Sequence, residues 1–204
     1  RMYKRNGYYP EAIQQYLYLI EDFPDNYLYH KKVGECYLKM NYRVDAWKYF
    51  SSAHALNPDD LDILLRLGNL AVKSGNYLEG IAYTKHGLTI DSTSIAMLKL
   101  NGYLHMLNVH SDTAIQQFEQ CLALGDSSFF TNKYLGLSHY QKDEFDYAAA
   151  HLAVAVELDS SDVENYYYYA TALSKALYKK KSNDAFQKLL KILEPPKDLT
   201  VDIY

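Results

Sequence analysis

The sequence predicts an all-α chain of stacked helix hairpins, and three observations carry that prediction. First, Gly34, Gly68, Gly102 and Gly136 are evenly spaced, each number a multiple of the first, with Ala170 next in the series. A fixed period of roughly 20 to 50 residues marks copies of one supersecondary unit laid side by side. Second, with Tyr27 counted as position 1, position 20 is small in every copy (Ala12, Ala46, Gly80, Ala114, Ala148), and position 27 reads Leu19, Ala53, Gly87, Cys121, Ala155. Position 24 lies between them and holds Tyr16, Phe50, Thr84, Phe118 and Leu152. Small side chains let two helix backbones approach closely, while a bulkier neighbour one turn away fills the remaining gap. Third, Asn57-Pro58-Asp59-Asp60, Asp91-Ser92-Thr93-Ser94, Gly125-Asp126-Ser127-Ser128 and Asp159-Ser160-Ser161-Asp162 recur at the same interval. Each ends one helix and offers capping oxygens to the next.

The elements follow in order. Residues 1–7 read as the last turns of a helix cut short, since Gly7 falls at position 15, and residues 9–22 form a helix with Pro10 in its tolerant first turn. The same phase predicts helices over 27–40, 44–56, 61–74, 77–90, 95–107, 111–123, 129–141 and 145–157. The last hairpin is predicted over 163–178 and 183–193. Its second helix places Ala185, Leu189 and Ile192 at positions 20, 24 and 27 only if three residues are inserted around Tyr178 to Lys181, which predicts a lengthened turn. Pro195-Pro196 stops that helix. The division is a truncated repeat at 1–26, full repeats at 27–60, 61–94, 95–128 and 129–162, a last repeat with its insertion at 163–197, and the start of a further element at 198–204. All belong to one array over 1–204, and the two ends predict a piece excised from a longer protein. Repeat 61–94 is the expected weak link. Gly80 and Gly87 lie inside its second helix where alanine would serve, each at roughly 1 kcal/mol, and Thr84 and Thr89 add β-branched residues.

This pattern resembles the tetratricopeptide repeat, a helix-turn-helix unit of about 34 residues with small side chains at positions 8, 20 and 27. Residues 27–60 match best, with Gly34, Tyr37, Ala46, Phe50, Ala53 and Pro58 in register. The family's Trp at position 4 is replaced by His30, Leu64, Leu98, Asn132 and Tyr166. The resemblance implies a right-handed superhelix (α-solenoid) of about five and a half hairpins. On the first helix of each repeat, positions 4, 7, 8 and 11 form the packing face, and positions 2, 5, 9 and 12 share another stripe at helical spacing. In the family that second stripe lines a concave groove.

Carried onto this chain, the groove and its margins contain the cations Lys31, Lys39, Arg66, Lys73, Lys99, Lys133 and Lys175 against the acids Glu35, Asp62 and Glu164. Between the charges lie Asn69, Tyr103, Met106, Phe130, Tyr134, Tyr140 and Tyr167. Rigid aromatic rings with steering lysines suit a protein or extended peptide that carries acidic groups and apolar anchors. The expected role is a protein-interaction scaffold. With 22 tyrosines in the chain, rings would fall on any face, so the competing reading is that they pack on one another or on a second copy in a homo-oligomer. The carboxylate clamp of chaperone-binding members needs Lys at position 5 with Asn at position 9. Lys31 is followed by Glu35, Lys99 by Tyr103 and Lys133 by Leu137, while Asn69 is preceded by Leu65, so no repeat carries the pair.

Composition fits a helical array: 49% hydrophobic residues, 23% charged, five prolines and a net charge of -4. No apolar run approaches the roughly 18 residues that a bilayer span requires. HExxH, a Gly-rich phosphate loop and a nucleophile elbow are all missing. The expectation is therefore no catalysis, no cofactor and no metal, with His30, His105 and His139 as packing histidines. Cys36 and Cys121 lie two repeats apart and read as free thiols, which favours a cytoplasmic compartment; a cut N-terminus leaves a periplasmic one open. RNA-binding helical arrays have a period one residue longer and basic character, and this chain has neither. A docking or sensor arm of a larger enzyme or regulator is the alternative role.

Overall fold

A computed structural model of the chain describes residues 8–193. Among the described residues there are eleven helices and no strand: α1 (Tyr9–Asp22), α2 (Tyr27–Lys39), α3 (Arg43–Leu56), α4 (Leu61–Ser74), α5 (Tyr77–Ile90), α6 (Ile95–Leu107), α7 (Ser111–Ala123), α8 (Phe129–Gln141), α9 (Phe145–Leu158), α10 (Val163–Lys175) and α11 (Lys179–Leu193). The cut helix expected over 1–7, the stop at Pro195-Pro196 and the further element at 198–204 lie outside the described residues. None of the described helices is long and apolar enough to cross a membrane. The contacts divide the chain into two compact units, Arg1–Leu104 and His105–Tyr204.

In the first unit α2 packs on α1 and α3, and α4 packs on α3 and α5. The recurring residues meet there. Ala46, Phe50 and Ala53 of α3 close on Ile63, Leu67 and Leu70 of α4, and Phe50 is fully buried beneath Gly34. In the second unit α8 packs on α7 and α9, and α10 packs on α9 and α11. Ala148, Ala149 and Leu152 there join Ala170, Ala172, Leu173 and Ala185 in one cluster.

The supposed weak link is built differently from expectation. A Cβ at Gly80 would stand 2.8 Å from Leu104 Cδ2 and 3.0 Å from Ala71 Cβ. Alanine would therefore not serve at Gly80, because the helices are already in contact there. Thr84 is fully buried, and its hydroxyl donates to the Gly80 carbonyl at 3.0 Å while accepting from Asn101 Nδ2 at 2.8 Å. Position 24 and position 7 of the next repeat have thus changed together. Where Phe50 meets Leu67 in one copy, a satisfied polar pair fills the same place in the next, and such pairing removes the cost of burying either group alone.

Among the described residues, the five turns inside hairpins are made the same way. The position 16 amide donates to the position 11 carbonyl: Tyr42 to Tyr37, Asn76 to Ala71, His110 to His105, Glu144 to His139 and Tyr178 to Leu173. This bond closes the helix end and requires a left-handed residue at position 15. Asn41, Gly75, Val109, Asp143 and Leu177 occupy it, with φ of 63°, 78°, 61°, 61° and 66°. Asn, Asp and Gly tolerate that conformation, whereas a β-branched side chain is strained. Val109 is 76% exposed, so little packing offsets its strain. Val109→Gly is expected to stabilise the chain by about 1 kcal/mol. Urea unfolding reads this as a higher midpoint at unchanged slope, and an equal or lower midpoint would count against it.

The same turn corrects the last hairpin. α10 ends at Lys175, short of the expected 178, and α11 begins at Lys179 rather than 183. Lys179 is position 17, the position at which α3, α5, α7 and α9 also begin. The turn is not lengthened. Ser182, not Ala185, falls at position 20; it is buried, and its hydroxyl donates to the Ala170 carbonyl at 3.0 Å. The repeat pattern calls for alanine or glycine at this contact, but a serine whose only polar group is bonded to the facing backbone fits equally well.

Candidate binding faces

In the first unit, the position 5 lysine is not a free groove charge. Lys31 Nζ lies 3.0 Å from both Asp60 carboxylate oxygens and 3.0 Å from Asp62 Oδ2, with the side chain 13% exposed. Asp60 also caps α4 by accepting the Ile63 amide at 3.0 Å. Arg66 donates to Asp62 at 3.0 Å and lies 5.7 Å above the Phe50 ring. Burial alone would raise the Asp62 pKa, but the bonds from Arg66 and Lys31 outweigh it and hold the carboxyl below its ordinary value. Glu35, expected on the groove, is buried and bonded by Lys32 at 3.1 Å. Asn69 is exposed, its amide turned back to the Leu65 carbonyl at 2.8 Å. Lys39 and Lys73 are exposed; Lys99 and Tyr103 are half-buried and engaged with neighbours.

The second unit repeats the arrangement. Lys133 is buried, with Nζ 2.9 Å from Asp162 Oδ2 and 2.7 Å from Glu164 Oε2. Asp162 caps α10 through the Asn165 amide at 2.7 Å. Burial would lower the lysine pKa, yet the hydrogen bonds to Glu164 and Asp162 carry it above the ordinary value. Lys31 and Lys133 therefore clasp their own repeat to the next. A charge count confined to the first-helix stripe omits Asp60 and Asp162, which sit at position 34. Their signal in the sequence is a position 5 lysine with acids at position 34 of its own repeat and position 2 of the following one. With those two acids included, the expected basic surplus shrinks.

Met106 is also buried and offers nothing to a ligand. The aromatic residues do gather. Phe130 and Tyr134 have ring centroids 4.4 Å apart, and Tyr134 stacks on Phe118 at 6.4 Å. Tyr140 meets Phe145 edge-on at 5.4 Å and Tyr168 at 5.3 Å, and Tyr168 meets Tyr167 at 5.6 Å. Lys175 Nζ sits 4.9 Å above Phe145. Phe145, Tyr140, Tyr168 and Tyr167 thus form a ladder of rings on α8, α9 and α10, half-buried at Tyr140 and Tyr168 and 51% exposed at Tyr167. Phe145 was not anticipated, because it opens a second helix and lies off the stripe.

His139 is buried, with Nδ1 2.6 Å from Glu144 Oε2 and its ring stacked on His151 at 5.8 Å. Among the described residues no group of three or more His, Cys, Asp or Glu side chains is placed to hold a metal ion. Cys36 and Cys121 are both buried and are not joined by a disulfide.

Comparison with known proteins identifies the fold. No family model and no curated protein matches the sequence. Among solved structures, a tetratricopeptide repeat protein from Parabacteroides merdae superposes with a TM-score of 0.78 at 15% identity, covering 95% of this chain and 77% of that one. MamA from Desulfovibrio magneticus gives 0.76 at 14% identity, over 82% and 94%. YrrB, described as a TPR protein with an unusual peptide-binding site, gives 0.74 at 14% identity, over 87% and 91%. The repeating hairpins of this chain have the tetratricopeptide-repeat fold.

Proposed function

We propose that this chain is a non-catalytic protein-interaction scaffold that binds an extended peptide segment of a partner through the first-helix face of its repeats. The observation that carries the reading is the ring ladder from Tyr167 through Tyr168 and Tyr140 to Phe145, which leaves Tyr167 half in solvent on the stripe that the fold uses for ligands. Aromatic side chains with few rotatable bonds give contact area at low entropic cost, which is why they dominate binding hot spots. The peptide-binding site described for YrrB, a protein of the same fold, supports the same role. Because Lys31 and Lys133 are already neutralised by carboxylates of the chain, the ligand on this face is selected by apolar and aromatic anchors more than by negative charge.

Selection of peptides from an unbiased display library on the intact chain supplies the probe. Tyr167→Ala and Tyr140→Ala are each expected to weaken the selected peptide by about 30-fold, the range of a hot-spot loss near 2 kcal/mol, with the circular dichroism spectrum unchanged. Unaltered affinity in both variants would overturn the assignment. So would concentration-dependent light scattering that Tyr167→Ala abolishes, since the face would then be a contact between two copies.

A further inference from the structure

The geometry points to a separate site in the first unit, a slot that accepts one apolar side chain flanked by carboxylates in a partner's peptide. The first turn of α3 lies beside the last turn of α4, and between them is a cavity of about 250 Å³ walled by Val44, Trp47 and Leu70 with Arg43 and Lys73 at its rim. Leu70 is buried at the floor, Val44 is 83% exposed, and Trp47 is held edge-on against Tyr83 at 6.0 Å. Small-molecule sites occupy roughly 300 to 1,000 Å³. A cavity below that range suits a single large side chain.

Charge decides the flanks. Arg43 donates through Nε to Asn41 Oδ1 at 3.2 Å, and neither Arg43 nor Lys73 forms an ion pair among the described residues. Two cations at the rim of an apolar slot, on a chain with a net charge of -4, complement an apolar residue with an acidic neighbour on either side. A structural feature of the repeat would recur in each copy, and this one does not. Positions 17, 18 and 21, with position 13 of the following repeat, read Arg43, Val44, Trp47, Lys73 here, but Tyr77, Leu78, Ile81, Leu107 and Ser111, Asp112, Ile115, Gln141 in the next two copies. Only the first joins two apolar walls to two cations. The site shares no residue with the ring ladder and does not depend on it.

Trp47 is the chain's only tryptophan, so its fluorescence reports the slot directly. The probes are the blocked peptides acetyl-GELEG-amide, acetyl-GQLQG-amide and acetyl-GEAEG-amide, titrated into the whole chain. The first is expected to change Trp47 emission saturably, and both controls to bind at least tenfold more weakly. Lys73→Glu and Arg43→Glu, both at exposed positions, should each weaken GELEG at least tenfold without altering the circular dichroism spectrum, while Tyr167→Ala leaves it unchanged. The assignment fails if emission stays constant up to about 1 mM peptide, the weak end of measurable affinities. It also fails if the neutral peptide binds equally well, or if both charge reversals are silent.

Discussion

Phe50→Ala is expected to cost the first unit about 3 to 5 kcal/mol, the range for removing a fully buried aromatic ring. The ring has no exposed surface and lies in one cluster with Ala46, Ala53, Ile63, Leu67 and Leu70. Above it is Gly34, whose absent Cβ would stand 3.1 Å from three ring atoms. Alanine therefore leaves a void whose roof has no side chain to lower into it, and collapse is limited because the surrounding small residues already hold the helices at contact distance. Repeat proteins are stabilised by each unit and its neighbours, so the loss stays local. Native-state hydrogen exchange in α2 to α4 should accelerate by roughly 100-fold or more, since about 1.4 kcal/mol corresponds to a factor of ten, while α8 to α10 retain their protection. A loss below about 1 kcal/mol would show that the cluster repacks freely.

Gly136→Ala is expected to destabilise the second unit by about 2 kcal/mol, although helix propensity alone favours alanine by roughly 1 kcal/mol. The added Cβ would stand 2.7 Å from Leu152 Cγ and 3.1 Å from the Leu152 backbone nitrogen. A side-chain tip can swing away, but a helix backbone moves only with everything packed on it, and overpacking of this kind costs about 1 to 3 kcal/mol. Gly87→Ala is the internal control. The atoms nearest its Cβ would all belong to the Met97 side chain, at 2.8 Å from Cε, 2.9 Å from the sulfur and 3.3 Å from Cγ, so the propensity gain should survive and leave that variant neutral or slightly more stable. Chemical denaturation of the two variants should give opposite signs, and equal destabilisation would refute the distinction.

These two glycines show how far residue patterns reach. Periodicity marks Gly136 and Gly87 alike as contact points, but whether the facing atom is backbone or a thioether tip is a matter of the neighbouring helix. Ser182 shows the opposite error: its spacing was right, and the expectation of alanine misjudged what a tight contact tolerates once a hydroxyl finds a carbonyl. The candidate face behaved in the same way. Lys31 and Lys133 lie on the first helices of their hairpins, yet their partners Asp60 and Asp162 lie in the caps of the helices that follow. A count restricted to one helix face could not include them.

The amino-acid order alone determined that the described residues form helices without a strand, and where the four hairpins between residues 27 and 158 turn, because a fixed period at fixed offsets admits one local unit repeated. Charge neutralisation at Lys31 and Lys133, the gathering of rings around Tyr140, and the slot beside Trp47 were decided only when adjacent hairpins packed. Each depends on distances between side chains that belong to different helices, and such distances are set by how closely the backbones approach rather than by any local preference.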